Sequence, residues 1–153
     1  MTITMQLKRA SSALVIGAIL SLAAPAHAKD DQLFKDLGGK PGIDKIVGDL
    51  MPMIMADARI NKFFEKVDMK KLGGLLSEQF CELSGGPCVY SGRDMVISHD
   101  EMGVRTSHFN ALAENLQVAM ERNNVPAAAS NKLVAMLAPM HKAMVRKVEP
   151  AQQ

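Results

Sequence analysis

Glycines, prolines and paired asparagines cut this chain into stretches of helical periodicity, and this pattern limits it to a helical fold. The main breaks are Gly38-Gly39, Gly85-Gly86-Pro87 and Asn123-Asn124. Between the first two breaks, Ile43, Ile46, Val47 and Leu50 recur at the spacing of one helix face. No stretch of useful length alternates apolar and polar residues as a half-buried strand would. The sequence therefore predicts an all-α domain.

The predicted helices follow from where the breaks fall. They cover Asp31 to Leu37, Pro41 to about Ala56, Arg59 to Phe64, Met69 to Leu83, Asp94 to His99, Val104 to Asn123-Asn124, and Ala127 to Val148. Pro52 lies inside the second of these and predicts a kink there. A composition with 12 Met, one Tyr and no Trp also favours helices over strands.

The first 28 residues have the pattern of a secretory signal peptide. Lys8 and Arg9 precede a largely apolar run from Ala13 to Ala24, and Ala26-His27-Ala28 is a small-x-small cleavage site. The run is shorter than the roughly 20 apolar residues of a membrane span. We therefore expect cleavage after Ala28, a periplasmic or secreted protein without a membrane span, and a single domain from 29 to 153.

The net charge of the chain does not indicate a polyanionic partner. The whole chain has 18 basic and 16 acidic residues, and the predicted signal peptide contains two of the bases and no acid. The mature chain is thus formally neutral, which argues against nucleic-acid binding. Cys81 and Cys88 flank a Gly-Gly-Pro turn. They form either a disulfide, as export would allow, or two small buried side chains.

The order of helices and glycine corners resembles the truncated haemoglobins, specifically group I. The resemblance extends from Phe34 to about Val148. Its motifs are Leu37-Gly38-Gly39, the Asp57-to-Phe64 stretch, Gly85-Gly86-Pro87-Cys88-Val89-Tyr90-Ser91-Gly92-Arg93-Asp94-Met95, then His99, Met102, Gly103, Phe109 and Val125-Pro126. The resemblance implies a two-over-two helical sandwich around haem b.

The resemblance also implies roles for individual residues. His99 matches the proximal ligand of the haem iron, and Phe64, Phe80 and Phe109 match aromatic residues of the haem pocket. Lys71, Tyr90 and Arg93 are candidates to meet the haem propionates. A Cys-x-x-Cys-His motif for c-type haem is absent from the sequence.

Two further histidines have other interpretations. His108 lies on the apolar line of its helix and is interpreted as a core histidine. His141 lies where a histidine of cyanobacterial relatives can bond covalently to a haem vinyl group. The alternative is a partly exposed imidazole on the last helix.

The distal side departs from the family pattern. Met51 stands where the family usually has a tyrosine that hydrogen-bonds bound dioxygen. Leu72, Leu75 and Leu76 stand where a glutamine commonly helps, so Gln79 is the remaining polar candidate. This predicts an unusually apolar distal pocket that retains dioxygen weakly.

The leading hypothesis is a haem globin that binds O2, NO or CO, with a periplasmic reductase or electron donor as a possible partner. One alternative is an NO dioxygenase or peroxidase-like enzyme, and another is an electron-transfer or gas-sensing haem protein. A remote third is a copper carrier that uses the thioethers of Met51, Met53 and Met55.

Overall fold

The computed structural model describes residues 30–145 of the 153-residue chain, and within that range every regular element is a helix. The helices are α1 (Gln32–Asp36), α2 (Gly39–Ala56), α3 (Met69–Leu83), α4 (Met95–His99), α5 (Thr106–Arg122), α6 (Ala127–Leu137) and α7 (His141–Met144), with 3-10 turns at Asn61–Phe63 and Ala138–Met140. The all-α prediction is confirmed. The predicted signal peptide lies outside the described residues.

The long helix α2 is the centre of the packing. Its buried face includes Ile43, Ile46, Leu50 and Ile54, spaced by three or four residues as one helix face requires. It packs on α3 and α5, while α6 packs on α1, α3 and α5. The other buried core residues are Leu33, Leu37, Val47, Ile60, Phe80, Cys81, Ala111, Leu116, Ala119, Met120, Ala129 and Leu133.

Helix boundaries agree with the sequence where a cap or break fixes them. Helix α3 has the predicted bounds because the Asp68 carboxylate accepts the Lys71 N–H at one end, and the glycine-proline break follows at the other. The last helix is different. It ends at Leu137, and a 3-10 turn containing Pro139 precedes the short α7. Proline has no N–H to donate into an α-helix, so the predicted single helix is interrupted. Val148 lies outside the described residues.

Pro52 does not divide α2, which runs from Gly39 to Ala56 with the proline on its exposed side. At its start, Gly38 has φ +82°, a left-handed conformation that glycine adopts without steric cost. Gly38 therefore provides the corner between α1 and α2.

Cys81 and Cys88 form a disulfide, with their Cα atoms 5.7 Å apart. It joins the last turns of α3 to the loop that leads to α4. A side chain at Gly86 would clash here, since its Cβ would lie 2.7 Å from Cys81 Sγ and 2.6 Å from the Phe34 ring. The structure thus decides between the two interpretations of the cysteine pair. Within residues 30–145, no helix has both the length and the apolar character needed to cross a membrane.

Candidate functional site

A largely apolar cavity of about 570 Å³ lies between α3, α4 and α5, and residues of α2 and of the segment from α6 to α7 complete its wall. Its volume is in the range of pockets that hold organic cofactors. Its lining residues are Leu50, Ile54, Ile60, Phe63, Phe64, Val67, Asp68, Lys71, Leu72, Leu75, Leu76, Gln79, Phe80, Tyr90, Ser91, Gly92, Arg93, Met95, Ser98, His99, Met102, Val104, His108, Phe109, Leu112, Ala113, Leu116, Val134, Leu137, Met140 and Met144.

His99 is the last residue of α4 and lies in the cavity wall. Its Nδ1 is 2.9 Å from the carbonyl oxygen of Met95, one turn earlier. A carbonyl only accepts hydrogen bonds, so Nδ1 carries the proton and Nε2 keeps its lone pair in the neutral ring. This is the tautomer that a metal ligand needs, with its orientation fixed by the second nitrogen.

A five-residue helix is too short to be stable alone, and α4 has two supports. The carboxylate of Asp94 accepts the Val96 N–H at 2.8 Å, which caps the first turn. Helix α7 packs against α4. The position of His99 therefore depends on a local cap and on the end of the described chain.

One face of α3 forms an apolar wall of the cavity. Leu72, Leu75 and Leu76 line it, and Gln79 follows one turn later. Gln79 is only 7% exposed, and its amide nitrogen lies 3.7 Å from the sulfur of Met140, a weak acceptor. The wall therefore presents hydrocarbon with one amide at its end.

Met51 is not among the residues that line this cavity, contrary to the distal position predicted for it. It lines a separate hollow between α2 and α3, where its Cγ lies 3.6 Å from the point that a Cβ of Gly73 would occupy. Leu50 and Ile54 of the same helix face the cavity instead. Adjacent helical residues point about 100° apart, so the neighbour of an inward-facing residue is turned away.

The methionines of α2 do not converge on one metal site. Met51 lines the hollow beside α3, Met53 packs against the core, and Met55 is 40% exposed. Among the described residues, no cluster of three or more His, Cys, Asp or Glu could hold a metal ion. This geometry gives the copper-carrier alternative no support.

Polar side chains line another part of the cavity. Lys71 and Arg93 line it with exposed side chains, and the Tyr90 hydroxyl donates to the Arg93 carbonyl at 3.2 Å. The Tyr90 ring lies over Gly92, where a Cβ would be only 2.1 Å from the hydroxyl oxygen. These residues bring two cations and a hydroxyl group together at the cavity, a chemistry that suits carboxylates.

The pKa of Tyr90 is raised, first by burial and then by the negative charges of Glu78 and Asp94. Both causes disfavour the phenolate. Tyr90 therefore remains a hydrogen-bond donor at neutral pH.

The predicted aromatic residues Phe64, Phe80 and Phe109 all line the cavity. His108, interpreted from sequence as a core residue, also lines it. Its Nδ1 accepts the Arg105 N–H at 3.1 Å, and its ring lies 4.8 Å from that of Phe63. The side chain is half-buried in the cavity wall, so the interpretation of His108 as a core residue is only partly right.

His141 is not among the cavity-lining residues. Its ring packs edge-on against Phe109 at 5.2 Å, and its Nε2 lies 3.1 Å from the Thr106 hydroxyl. Its neighbours Met140 and Met144 line the cavity instead. The imidazole is partly exposed, as the second interpretation expects, and a covalent link of His141 to haem stays a prediction.

These residues fit the haem that the sequence resemblance implies. An apolar cavity accepts the porphyrin faces, His99 offers an unprotonated ring nitrogen, and the cations Lys71 and Arg93 offer partners for carboxylates. The Tyr90 O–H donates to the Arg93 carbonyl, so it would have to turn to reach a carboxylate. Sequence reasoning missed several apolar side chains of the lining. The missed residues include Leu50, Ile54, Phe63, Met95, Met102, Leu112, Val134, Leu137, Met140 and Met144.

Comparison with known proteins agrees with this geometry. The sequence model described as "Bacterial-like globin" matches residues 32–146. The group 1 truncated haemoglobin of a Synechocystis species is 32% identical over 115 residues, which cover 72% of this chain and 93% of that protein. The group 1 truncated haemoglobin of Tetrahymena pyriformis is 28% identical over 119 residues, covering 78% of this chain and 98% of that one.

Solved structures have the same fold. The Fe(III) form of the Tetrahymena pyriformis truncated haemoglobin superposes with a TM-score of 0.72, at 28% identity, over 75% of this chain and 98% of that chain. A Synechococcus 2/2 haemoglobin in the cyanomet state, with covalently attached haem, gives a TM-score of 0.69 at 27% identity over 74% and 97%. This chain therefore belongs to the bacterial-like globin family, in its group I truncated haemoglobin branch.

Proposed function

We propose that this chain binds haem through His99 and binds a diatomic gas beside the apolar face of α3. The family binds haem b and diatomic gases, and this chain shares that general chemistry. The role of His99 as the iron ligand and the apolar surroundings of the bound gas are our proposals. The iron of the bound haem supplies the coordination position at which a gas binds.

The observation that carries the proposal is the hydrogen bond between His99 Nδ1 and the Met95 carbonyl. It fixes the proton on Nδ1 and leaves Nε2 for the iron. His108 has the opposite arrangement: its Nδ1 accepts the Arg105 N–H, so the proton of the neutral ring is on Nε2, which then has no lone pair for an iron.

The apolar residues of α3 support the proposal that the bound gas has apolar surroundings. A hydrogen bond from a neutral donor to a partly charged ligand is worth about 1–3 kcal/mol. Leu72, Leu75 and Leu76 supply no donor, and Gln79 directs its amide to a thioether. Dioxygen, which becomes polar on binding, should dissociate about tenfold faster or more than with such a donor, while carbon monoxide is less affected. Weak retention of dioxygen argues against NO dioxygenation as the main activity.

The spectra of the holoprotein in ferric, ferrous and CO-bound states test the proposal. We expect a histidine-ligated, five-coordinate ferrous spectrum that is lost in His99→Gly and restored by added imidazole. His108→Gln is the matched control, because it removes the other cavity histidine, and it should keep the spectrum of the unmodified protein. A His99→Gly protein with an unchanged ferrous spectrum would refute the ligand assignment. A low-spin, methionine-ligated spectrum would instead favour electron transfer.

We also propose that the protein acts outside the cytoplasm. The signal-peptide pattern of the first 28 residues motivates this, and the Cys81–Cys88 disulfide supports it, because such bonds persist in oxidising compartments. Cell fractionation with N-terminal sequencing tests the idea. The expected mature protein is periplasmic or secreted and begins at Lys29, whereas an intact N-terminus in the cytoplasm would contradict it.

A further inference from the structure

The loop between α3 and α4, residues 84–94, forms part of the cavity and is called here the rim segment. Four consecutive residues of it, Tyr90 to Arg93, line the cavity. The segment contains no helix or strand, so its position depends on its ties to the rest of the fold.

The ties of residues 88–91 lead back to the second half of α3. The disulfide joins Cys88 to Cys81. The Tyr90 N–H donates to the Glu82 carboxylate at 3.2 Å. Ser91 donates its N–H and its hydroxyl to Glu78 Oε2, at 3.0 and 2.7 Å. At the ends of the segment, the Ser84 carbonyl accepts the Phe34 N–H, the Gly86 N–H donates to the Cys81 carbonyl, and the Ser98 hydroxyl donates to the Arg93 carbonyl. The disulfide is therefore the covalent member of a set of ties that otherwise consists of hydrogen bonds.

The two sulfurs of the disulfide differ in their access to solvent. Cys81 is fully buried in the core, whereas Cys88 is half-buried between the exposed Pro87 and Val89. Val89 is 75% exposed, so the chain on that side leaves room for an incoming reagent. A thiolate would thus attack Cys88 Sγ rather than Cys81 Sγ.

We propose that the Cys81–Cys88 disulfide is a redox-sensitive latch that holds the rim segment over the cavity and sets how fast haem leaves. A dithiol reductant attacks Cys88 Sγ, forms a mixed disulfide and releases Cys81 as a thiolate that takes a proton. The second thiol of the reductant then displaces Cys88, which also becomes protonated, and the reductant leaves as its own disulfide. The protein disulfide gains two electrons and two protons, and the dithiol loses them.

Reduction then removes the covalent tie of the rim segment next to Tyr90. The hydrogen bonds to Glu78 and Glu82 remain, but each is individually reversible. Tyr90 and Arg93 spend less time at the cavity, so haem escapes more often. The inference depends on haem binding by this chain, which the proposed function shares.

Transfer of haem from the holoprotein to an excess of a haem-free acceptor globin measures the effect. The rate is compared between the oxidised protein and the protein treated with a dithiol. We expect the Soret signal to transfer at least fivefold faster after reduction. The double variant Cys81→Ala/Cys88→Ala should transfer haem at the fast rate in both conditions.

Tyr90 supplies a second readout at the latch itself. It is the single tyrosine of a chain without tryptophan, so its ultraviolet emission reports the rim segment alone. Bound haem quenches that emission by energy transfer, and we expect reduction of the holoprotein, measured without acceptor globin, to raise it. Gly92→Ala, whose Cβ would occupy the place of the Tyr90 hydroxyl, should accelerate haem loss in the oxidised protein.

Ile43→Ala is the control for a general loss of stability. It shortens a buried core side chain that does not line the cavity. Its haem transfer should still accelerate on reduction by the same factor as that of the unmodified protein. Equal transfer rates for oxidised and reduced protein, with a normal Soret band, would overturn the latch while leaving haem binding intact. Absence of any Soret band would instead contradict the proposed function.

Discussion

At the scale of single residues, the chemistry of the cavity depends on which atoms remain available. His99 has one nitrogen occupied by the Met95 carbonyl, so its other nitrogen is free for a metal. Gln79 has its amide nitrogen near a thioether, and the leucines of α3 have no polar atom to offer. A donor added to the α3 wall should therefore change gas binding more than loss of any one apolar side chain.

Leu72→Gln places an amide on that wall, and we predict that it slows dioxygen dissociation by about tenfold, since 1.4 kcal/mol corresponds to one decade. Stopped-flow measurement of dioxygen and carbon monoxide dissociation checks this. Leu72→Met, which has similar volume and no donor, should leave the dioxygen rate within about a factor of two. The prediction fails if both gases slow equally, because that would indicate steric obstruction of the cavity.

At the scale of elements, the stability of a short helix depends on its caps. Loss of the N-cap should therefore affect the two capped helices of the site to different extents. Asp68 caps the 15-residue α3, whereas Asp94 caps the five-residue α4 that carries His99. Losing an N-cap costs about 1 kcal/mol in either place. A helix of little more than one turn has few other hydrogen bonds to hold it, so the same loss should loosen α4 more.

Asp94→Ala should increase the rate of haem dissociation about fivefold, the rate equivalent of about 1 kcal/mol. Asp94→Asn retains an acceptor for the Val96 N–H and should restore most of the lost haem affinity. Asp68→Ala, the same deletion on α3, serves as the matched control and should change haem dissociation less. If the two alanine variants lose haem equally fast, the special dependence of α4 on its cap is wrong.

At the scale of the whole molecule, a cofactor cavity places polar groups in an apolar interior, and pH then affects stability. The pKa of His108 is lowered, first because its ring is desolvated and then because Lys62 and Arg105 repel a positive charge. The unfolded chain therefore binds a proton more readily at this residue than the folded chain does. This contribution to stability is present above the ordinary histidine pKa of about 6.5 and is lost as pH falls.

Between about pH 7.5 and pH 5, the thermal midpoint of the unmodified protein should fall more steeply than that of His108→Gln, which has no proton to bind there. Calorimetric scans of both holoproteins across that range measure the slopes. The two proteins differ only at residue 108, so the difference between their slopes reports His108. Parallel pH profiles would show that His108 contributes nothing to the dependence.

The sequence predicted the helical class, the bounds of α3 and part of the cavity lining, because caps, glycine breaks and a motif with fixed spacing are local signals. Three features needed tertiary information. A shift of one residue along α2 separates Met51, in the hollow beside α3, from Leu50, in the cavity wall. The Cys81–Cys88 bond needed a Cα approach that spacing alone could not establish. Pro139 divides a stretch whose apolar periodicity continues through it.

Because α7 packs on α4, the order of synthesis along the chain decides when α4 gains that support. A ribosome completes α4, and the cavity walls of α3 and α5, well before it reaches His141–Met144. Until that late turn emerges, the helix that carries His99 lacks one of its supports. Because domains fold as units during and after synthesis, we expect firm haem binding only once the chain has been made through α7.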